Sequence, residues 1–191
     1  MKNFTVSELI QNRKSVFPPL YIKKEIPKGI IEEMLENANR APTHKLTQPW
    51  RFKVVRGEGK SRLGDFLALK YKELFSDTSF SERKYKKLKE NPVLADTIIA
   101  IIMQRDVDES LPEWEEVAAV SMAVQNMWLT ASAHNIGSYW SSPGLIKYAN
   151  EFFDLKEGEK CLGFFYMGYY EAEIPTSKRE AIATKVEWIE E

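Results

Sequence analysis

A chain of 191 residues, 43% hydrophobic and 29% charged, has an ordinary globular composition and the length for one domain with a substantial core. With 27 basic and 28 acidic residues the formal charge is -1, so no global field draws the chain to nucleic acid or to an anionic membrane surface. One cysteine excludes an internal disulfide and any cysteine cluster for zinc or iron–sulfur, and with two histidines no metal site is expected. Met1 to Val6 lacks the apolar stretch of a secretory signal, and no later segment supplies about 20 uninterrupted apolar residues. The expectation is a cytoplasmic protein with no membrane contact, whose function rests in a local site.

Thr5 and Glu8 form a capping-box pair that opens a short helix carrying Leu9 and Ile10. That helix stops near Arg13-Lys14-Ser15, ahead of Phe17-Pro18-Pro19. Pro27 suits the first position of a second helix. Ile30, Ile31, Met34, Leu35 and Ala38 share one face of it, and Glu32, Glu33 and Glu36 the other. It ends near Arg40, and a loop follows. Residues 50–55 alternate as a strand and 56–59 turn. Residues 60–75 have helical spacing through Leu63, Phe66, Leu67 and Leu74. Residues 81–90 predict a charged helix that Asn91-Pro92 interrupts.

Residues 97–103, dense in β-branched side chains, predict a central strand buried on both faces. Pro112 introduces a long helix over 113–135, predicted to be buried nearly all round in a core or a dimer interface, with Gly137 as its C-cap. A strand begins at Ser138, a short helix covers 144–153, and 161–169 is a last core strand holding an inert, buried Cys161. The tail from Glu171 is polar. No repeat or linker divides the chain. These elements predict an α+β fold in which helices flank three or four strands and the longest helix is central.

Four segments carry chemistry. Arg13-Lys14-Ser15 offers two cations and a hydroxyl just past a helix end, which can grip a phosphate, although basic residues are also what a helix C-terminus favours. Residues 39–50 run from a helix end through a loop pinned by Pro42 and Pro49, presenting Arg40, His44 and Gln48; a capped surface turn is the plainer reading. Trp140-Ser141-Ser142, at the end of a predicted strand, lets backbone amides approach a ligand. Gly163 and Gly168, within a strand, suggest a bulge or close backbone approach.

In order and separation these segments resemble the nitroreductase-like FMN oxidoreductases, and their short members above all. The second segment carries most of this, through Arg40-Ala41-Pro42-Thr43-His44-Lys45 and Gln48-Pro49-Trp50. The resemblance spans nearly the whole chain. It implies a three-layer α/β/α fold with a mixed or antiparallel central sheet and a long buried helix, a single domain over 1–191. It also implies a homodimer with FMN at the subunit interface and NADH or NADPH as electron donor. Hydride would pass to a small oxidised acceptor of nitroaromatic, quinone or enone type by a ping-pong scheme, with no catalytic side chain.

On the same ground Arg13, Lys14 and Ser15 would contact the FMN phosphate, ribityl chain or ring edge. Arg40 and His44 would reach it from the other subunit, and Trp140, Ser141 and Ser142 would line it. Residues 130–135 lie where short members place a nicotinamide contact. Two positions depart from the family pattern: Ser141 stands where relatives have an arginine, and Phe17 where larger ones have a ring-edge lysine. Lys178 or Arg179 could replace the missing phosphate cation. A flavin carrier without turnover is the alternative. The basic run 83–89, flanked by Glu82 and Glu90, predicts a solvated helix face rather than a nucleic-acid surface.

Overall fold

In the computed structural model, which describes residues 4–75, 79–175 and 177–190, four strands form one sheet in the order β1-β2-β4-β3. They are β1 (Trp50–Val55), β2 (Thr97–Gln104), β3 (Ile136–Ser141) and β4 (Glu159–Tyr169). Every pairing is antiparallel, with Phe52 opposite Ile101, Ile99 opposite Phe165, and Tyr139 opposite Tyr166. β2 is buried from Thr97 to Met103, as a β-branched run with no polar alternation should be.

Side chains alternate across the sheet and divide the core in two. Ile99, Ile101, Met103, Phe165 and Met167 face α2 (Lys28–Ala38) and α5 (Glu113–Ala133). Ile98, Ala100, Ile102, Phe164 and Tyr166 face α3 (Glu58–Leu74). α4 (Glu82–Leu94) joins that second side through Tyr85 and Leu88. The result is the three-layer α/β/α arrangement. The short α1 (Val6–Asn12) carries both halves of the Thr5–Glu8 capping box.

Two local readings are corrected. α5 ends at Ala133, and Asn135, not Gly137, takes the left-handed conformation after it, with φ 54°; asparagine tolerates that region better than most residues. Gly137 lies inside β3 for a steric reason, because a Cβ there would sit 2.8 Å from the Cβ of Val16. α4 does not stop at Glu90 but runs through Pro92 to Leu94. Proline in a last turn forfeits only one hydrogen bond, and packing compensates: Asn91 and Pro92 are buried, and α3 lies so close that a Cβ on Gly64 would collide with the Lys89 carbonyl.

In α5, Ala119, Val120, Ala123, Val124, Met127 and Ala131 are buried, but Trp114 and Met122 are exposed. Burial is one-sided within a single chain. The segment 144–153 also divides, into a 3-10 turn (Gly144–Tyr148) and a single turn, α6 (Asn150–Phe153).

The strand glycines behave as their placement suggested. Gly163 has φ 144° beside a register shift between Ile101 and Ile102, and a Cβ on Gly168 would press on the ring of Tyr21.

Candidate functional site

The chain leaves α1 at Arg13 in extended conformation and runs beside the edge strand β3. Ser15 forms a parallel bridge with Ser138, and the Val16 N–H donates to the Ser138 carbonyl at 3.0 Å. The missing side chain of Gly137 makes this approach possible. Because side chains alternate along extended chain, Arg13 and Ser15 share a face. Arg13 lays its guanidinium over the indole of Trp128, 4.4 Å from the ring centroid. The Trp128 Nε1–H donates to the Lys14 carbonyl at 3.3 Å, so one α5 side chain fixes both the backbone and the cation of this corner.

Nη1 of Arg13 is buried and has no hydrogen-bond partner among the described residues. The Lys14 ammonium donates to the Ile174 carbonyl, which ties the polar tail to the corner and brings Arg179 near. Burial, and then repulsion by Arg179, lower the pKa of the Arg13 guanidinium. Arg13, Lys14, Ser177 and Arg179, with Ile10 and Gln11, line a cavity of about 420 Å³. Among the described residues no carboxylate lines it. Three cations without a counter-charge and an unpaired buried donor are the chemistry of an anion site. Of the two tail cations named from sequence, Arg179 is the one on this cavity; Thr176 lies outside the described residues.

The second segment is built differently. Arg40 pairs with Glu36 one turn earlier at 2.6 Å, and both side chains are exposed. His44 Nδ1 lies 2.7 Å from a carboxylate oxygen of Glu115, and the Lys45 ammonium donates to the Ser110 carbonyl. Lys45, Leu46 and Gln48 have φ of 51°, 54° and 44°, a left-handed backbone that costs non-glycine residues roughly 1 kcal/mol or more each. Trp50 anchors the loop from below by donating to Asn39 Oδ1 at 3.0 Å.

Glu115 and Trp128 stand near opposite ends of α5, roughly 20 Å apart at 1.5 Å per residue. One chain therefore does not bring His44 to the Arg13 corner.

At the third segment, Trp140 donates its indole N–H to the Leu162 carbonyl at 3.1 Å, and Gly163 leaves room for that ring. Ser141 is half-buried and Ser142 exposed at the strand end. Ser138, two residues earlier, is buried with its hydroxyl unpaired. Phe17 is half-exposed, with its ring centroid 4.8 Å from that of Tyr139. Thr130 is buried, accepting from Asn37 Nδ2 and donating to the Asn126 carbonyl. His134 pairs with Glu33 at 2.9 Å.

Neither Trp128 nor Ser138 is among the cofactor contacts expected from sequence. The register that sets Ser15 on Ser138 has no local signature in either segment.

Comparison with known proteins accords with this arrangement. The model of the nitroreductase family matches residues 10–169. The Escherichia coli K12 protein named "Putative NAD(P)H nitroreductase YdjA" is 30% identical over 89% of this chain and 91% of its own. A crystal structure of a nitroreductase-like family protein from Bacillus cereus superposes with a TM-score of 0.81 at 28% identity, covering 100% of this chain and 99% of that one. The FMN-dependent nitroreductase NfnB from Mycobacterium smegmatis, solved in complex with NADPH, shares the fold at a TM-score of 0.75 and 16% identity, covering 96% of this chain and 97% of its own. With its antiparallel three-layer fold and a family match from the end of the first helix to the end of the last strand, the chain belongs to the nitroreductase family.

Proposed function

We propose that this chain is an FMN-dependent oxidoreductase that takes hydride from NADH or NADPH and passes it to a small oxidised acceptor of nitroaromatic, quinone or enone type. The carrying observation is the Arg13 cavity, with two arginines and Lys14 on its wall and, among the described residues, no carboxylate. Its charge and its unpaired guanidinium nitrogen fit the dianionic phosphate of FMN. The donor named for the Escherichia coli relative and the FMN and NADPH named for the Mycobacterium protein support the same reading.

Bound there, FMN supplies two-electron hydride chemistry. The chain's part is binding and orientation. Arg13 and Arg179 hold the phosphate from two sides, so Arg179 stands in for the cation absent at Ser141. Ser15 adds a neutral hydrogen bond from the same face as Arg13. Lys14 fastens the tail that carries Arg179, and Trp140, Ser141 and Ser142 present backbone and hydroxyl groups along the ring. No side chain acts as acid, base or nucleophile, which suits a ping-pong exchange of donor and acceptor over one face.

The functional unit is a cytoplasmic homodimer of single-domain subunits, each lending Arg40 and His44 to the other's flavin. Two features support the pairing: Trp114 and Met122 are exposed on α5, and Trp188 and Ile189 in the tail are 81% and 84% exposed. A lone chain leaves that apolar surface in water. Among the described residues no helix is long and apolar enough to cross a membrane.

The purified protein should be yellow and dimeric, and rapid-mixing with NADH or NADPH should bleach the flavin until an acceptor restores it. A preparation that stays colourless after incubation with FMN defeats the proposal. Bound flavin that neither nicotinamide reduces would leave a flavin carrier.

A further inference from the structure

A second cavity, of about 420 Å³, opens on the sheet face opposite α5, where the end of α3, the start of α4 and the turn Gly144–Tyr148 meet. Leu74, Phe75, Leu145 and Tyr148 give it apolar and aromatic walls, and Lys84 and Lys147 stand among them. Leu145 is buried and belongs to the core on this side of the sheet, so part of the wall is rigid. The volume falls in the range of small-molecule sites.

The two lysines are held in similar ways. The Lys84 ammonium lies 4.9 Å from the ring centroid of Tyr71 and 5.5 Å from that of Phe75, and the Lys147 ammonium lies 5.0 Å from that of Tyr148. An aromatic face attracts an ammonium but leaves its charge uncancelled. Among the described residues that line the cavity there is no carboxylate. Glu73 and Glu151 both turn to Lys70, at 2.9 and 2.7 Å. Among the described residues, two cations with no counter-ion thus flank an apolar slot.

We propose that this cavity binds a small amphipathic anion, an aryl carboxylate, with its ring against Leu74, Phe75, Leu145 and Tyr148 and its carboxylate between Lys84 and Lys147. The site is separate from the Arg13 cavity and shares no lining residue with it. Two cations and a slot of this shape select against neutral arenes, which leave the ammonium groups unpaired, and against inorganic anions, which leave the walls wet.

The test is calorimetric titration of the full chain, with and without saturating FMN, using 2-naphthoate as the probe and neutral 2-naphthamide as its isostere. Naphthoate should bind at least 10-fold more tightly than the amide, with the same affinity whether or not FMN is present. Lys84→Met and Lys147→Met should each weaken it several-fold and together at least 10-fold, with melting temperatures unchanged because both side chains are exposed. Arg13→Ala should leave naphthoate binding untouched, so a failure of the flavin reading does not touch this result. Equal binding of acid and amide, indifference to the double substitution, or displacement of naphthoate by FMN would each overturn the assignment.

Discussion

The Arg13–Ser15 corner and the Arg40–Gln48 loop are both cationic segments that follow a helix, and their cations are used in opposite ways. Arg13 is half-buried over Trp128, with a donor nitrogen that nothing in the described chain satisfies. Arg40 and His44 are exposed and already paired, with Glu36 and Glu115. An unsatisfied buried donor marks a place where an acceptor is missing. Exposed pairs of the second kind are worth at most about 1 kcal/mol, so a second molecule can rearrange them at little cost. On the proposed function, a ligand completes the first region and a partner surface the second.

The strongest way to break this contrast is to remove what lies beneath the loop. The carboxylate of Glu116, buried in α5, accepts from Arg105 and from the Asp106 N–H, and so holds the 105–112 segment to which Lys45 is tied. Glu116→Ala leaves Arg105 without its buried partner and should lower stability by about 3–5 kcal/mol in urea unfolding. A loss below about 1 kcal/mol would mean that the segment is held by something else.

Next is Arg13→Ala, which should raise the FMN dissociation constant roughly 30- to 100-fold, a loss of about 2–3 kcal/mol for truncating one side of a desolvated charge contact. Fluorescence titration of flavin-free protein measures it, and an unchanged constant would remove the corner from the site. Gly137→Ala acts on the same corner from behind. Its Cβ would meet Val16, opening the Ser15–Ser138 bridge, with an expected overpacking cost of about 1–3 kcal/mol and weaker flavin retention. His44→Ala should be the mildest, within about 0.5 kcal/mol of the parent in thermal unfolding. Its flavin affinity should nonetheless fall in the dimer, and a parent-like affinity there would show that the loop does not cross to the partner.

The same contrast explains what could be read from sequence. Thr5 with Glu8, the run Thr97–Met103 and the apolar spacing of α2 are local signals, and each became the element it implied. Gly137 was misread because glycine after a helix usually marks a cap; its role is set by Val16, 121 positions away in the chain, and no window contains both. Pro92 was misread because its helix is sustained by tertiary contact with α3 rather than by propensity. At the site, residue types such as Arg13, Ser15 and Trp140 were legible, and so were the two candidate tail cations. What was not legible was geometry: the stacking of Arg13 on Trp128, the burial of Ser138, and the choice of Arg179 over Lys178 all depend on register across the sheet edge.

The tether from Lys14 to the Ile174 carbonyl has one more consequence. Residues 177–190 are exposed along their whole length, and they reach the cavity through Ser177 and Arg179. On the proposed function, an anion that draws Arg13 and Arg179 together would also pin this segment, so occupancy of the cavity should slow trypsin cleavage after Lys178, Arg179 and Lys185. The C-terminus thereby reports on the state of a cavity built largely from the N-terminal end.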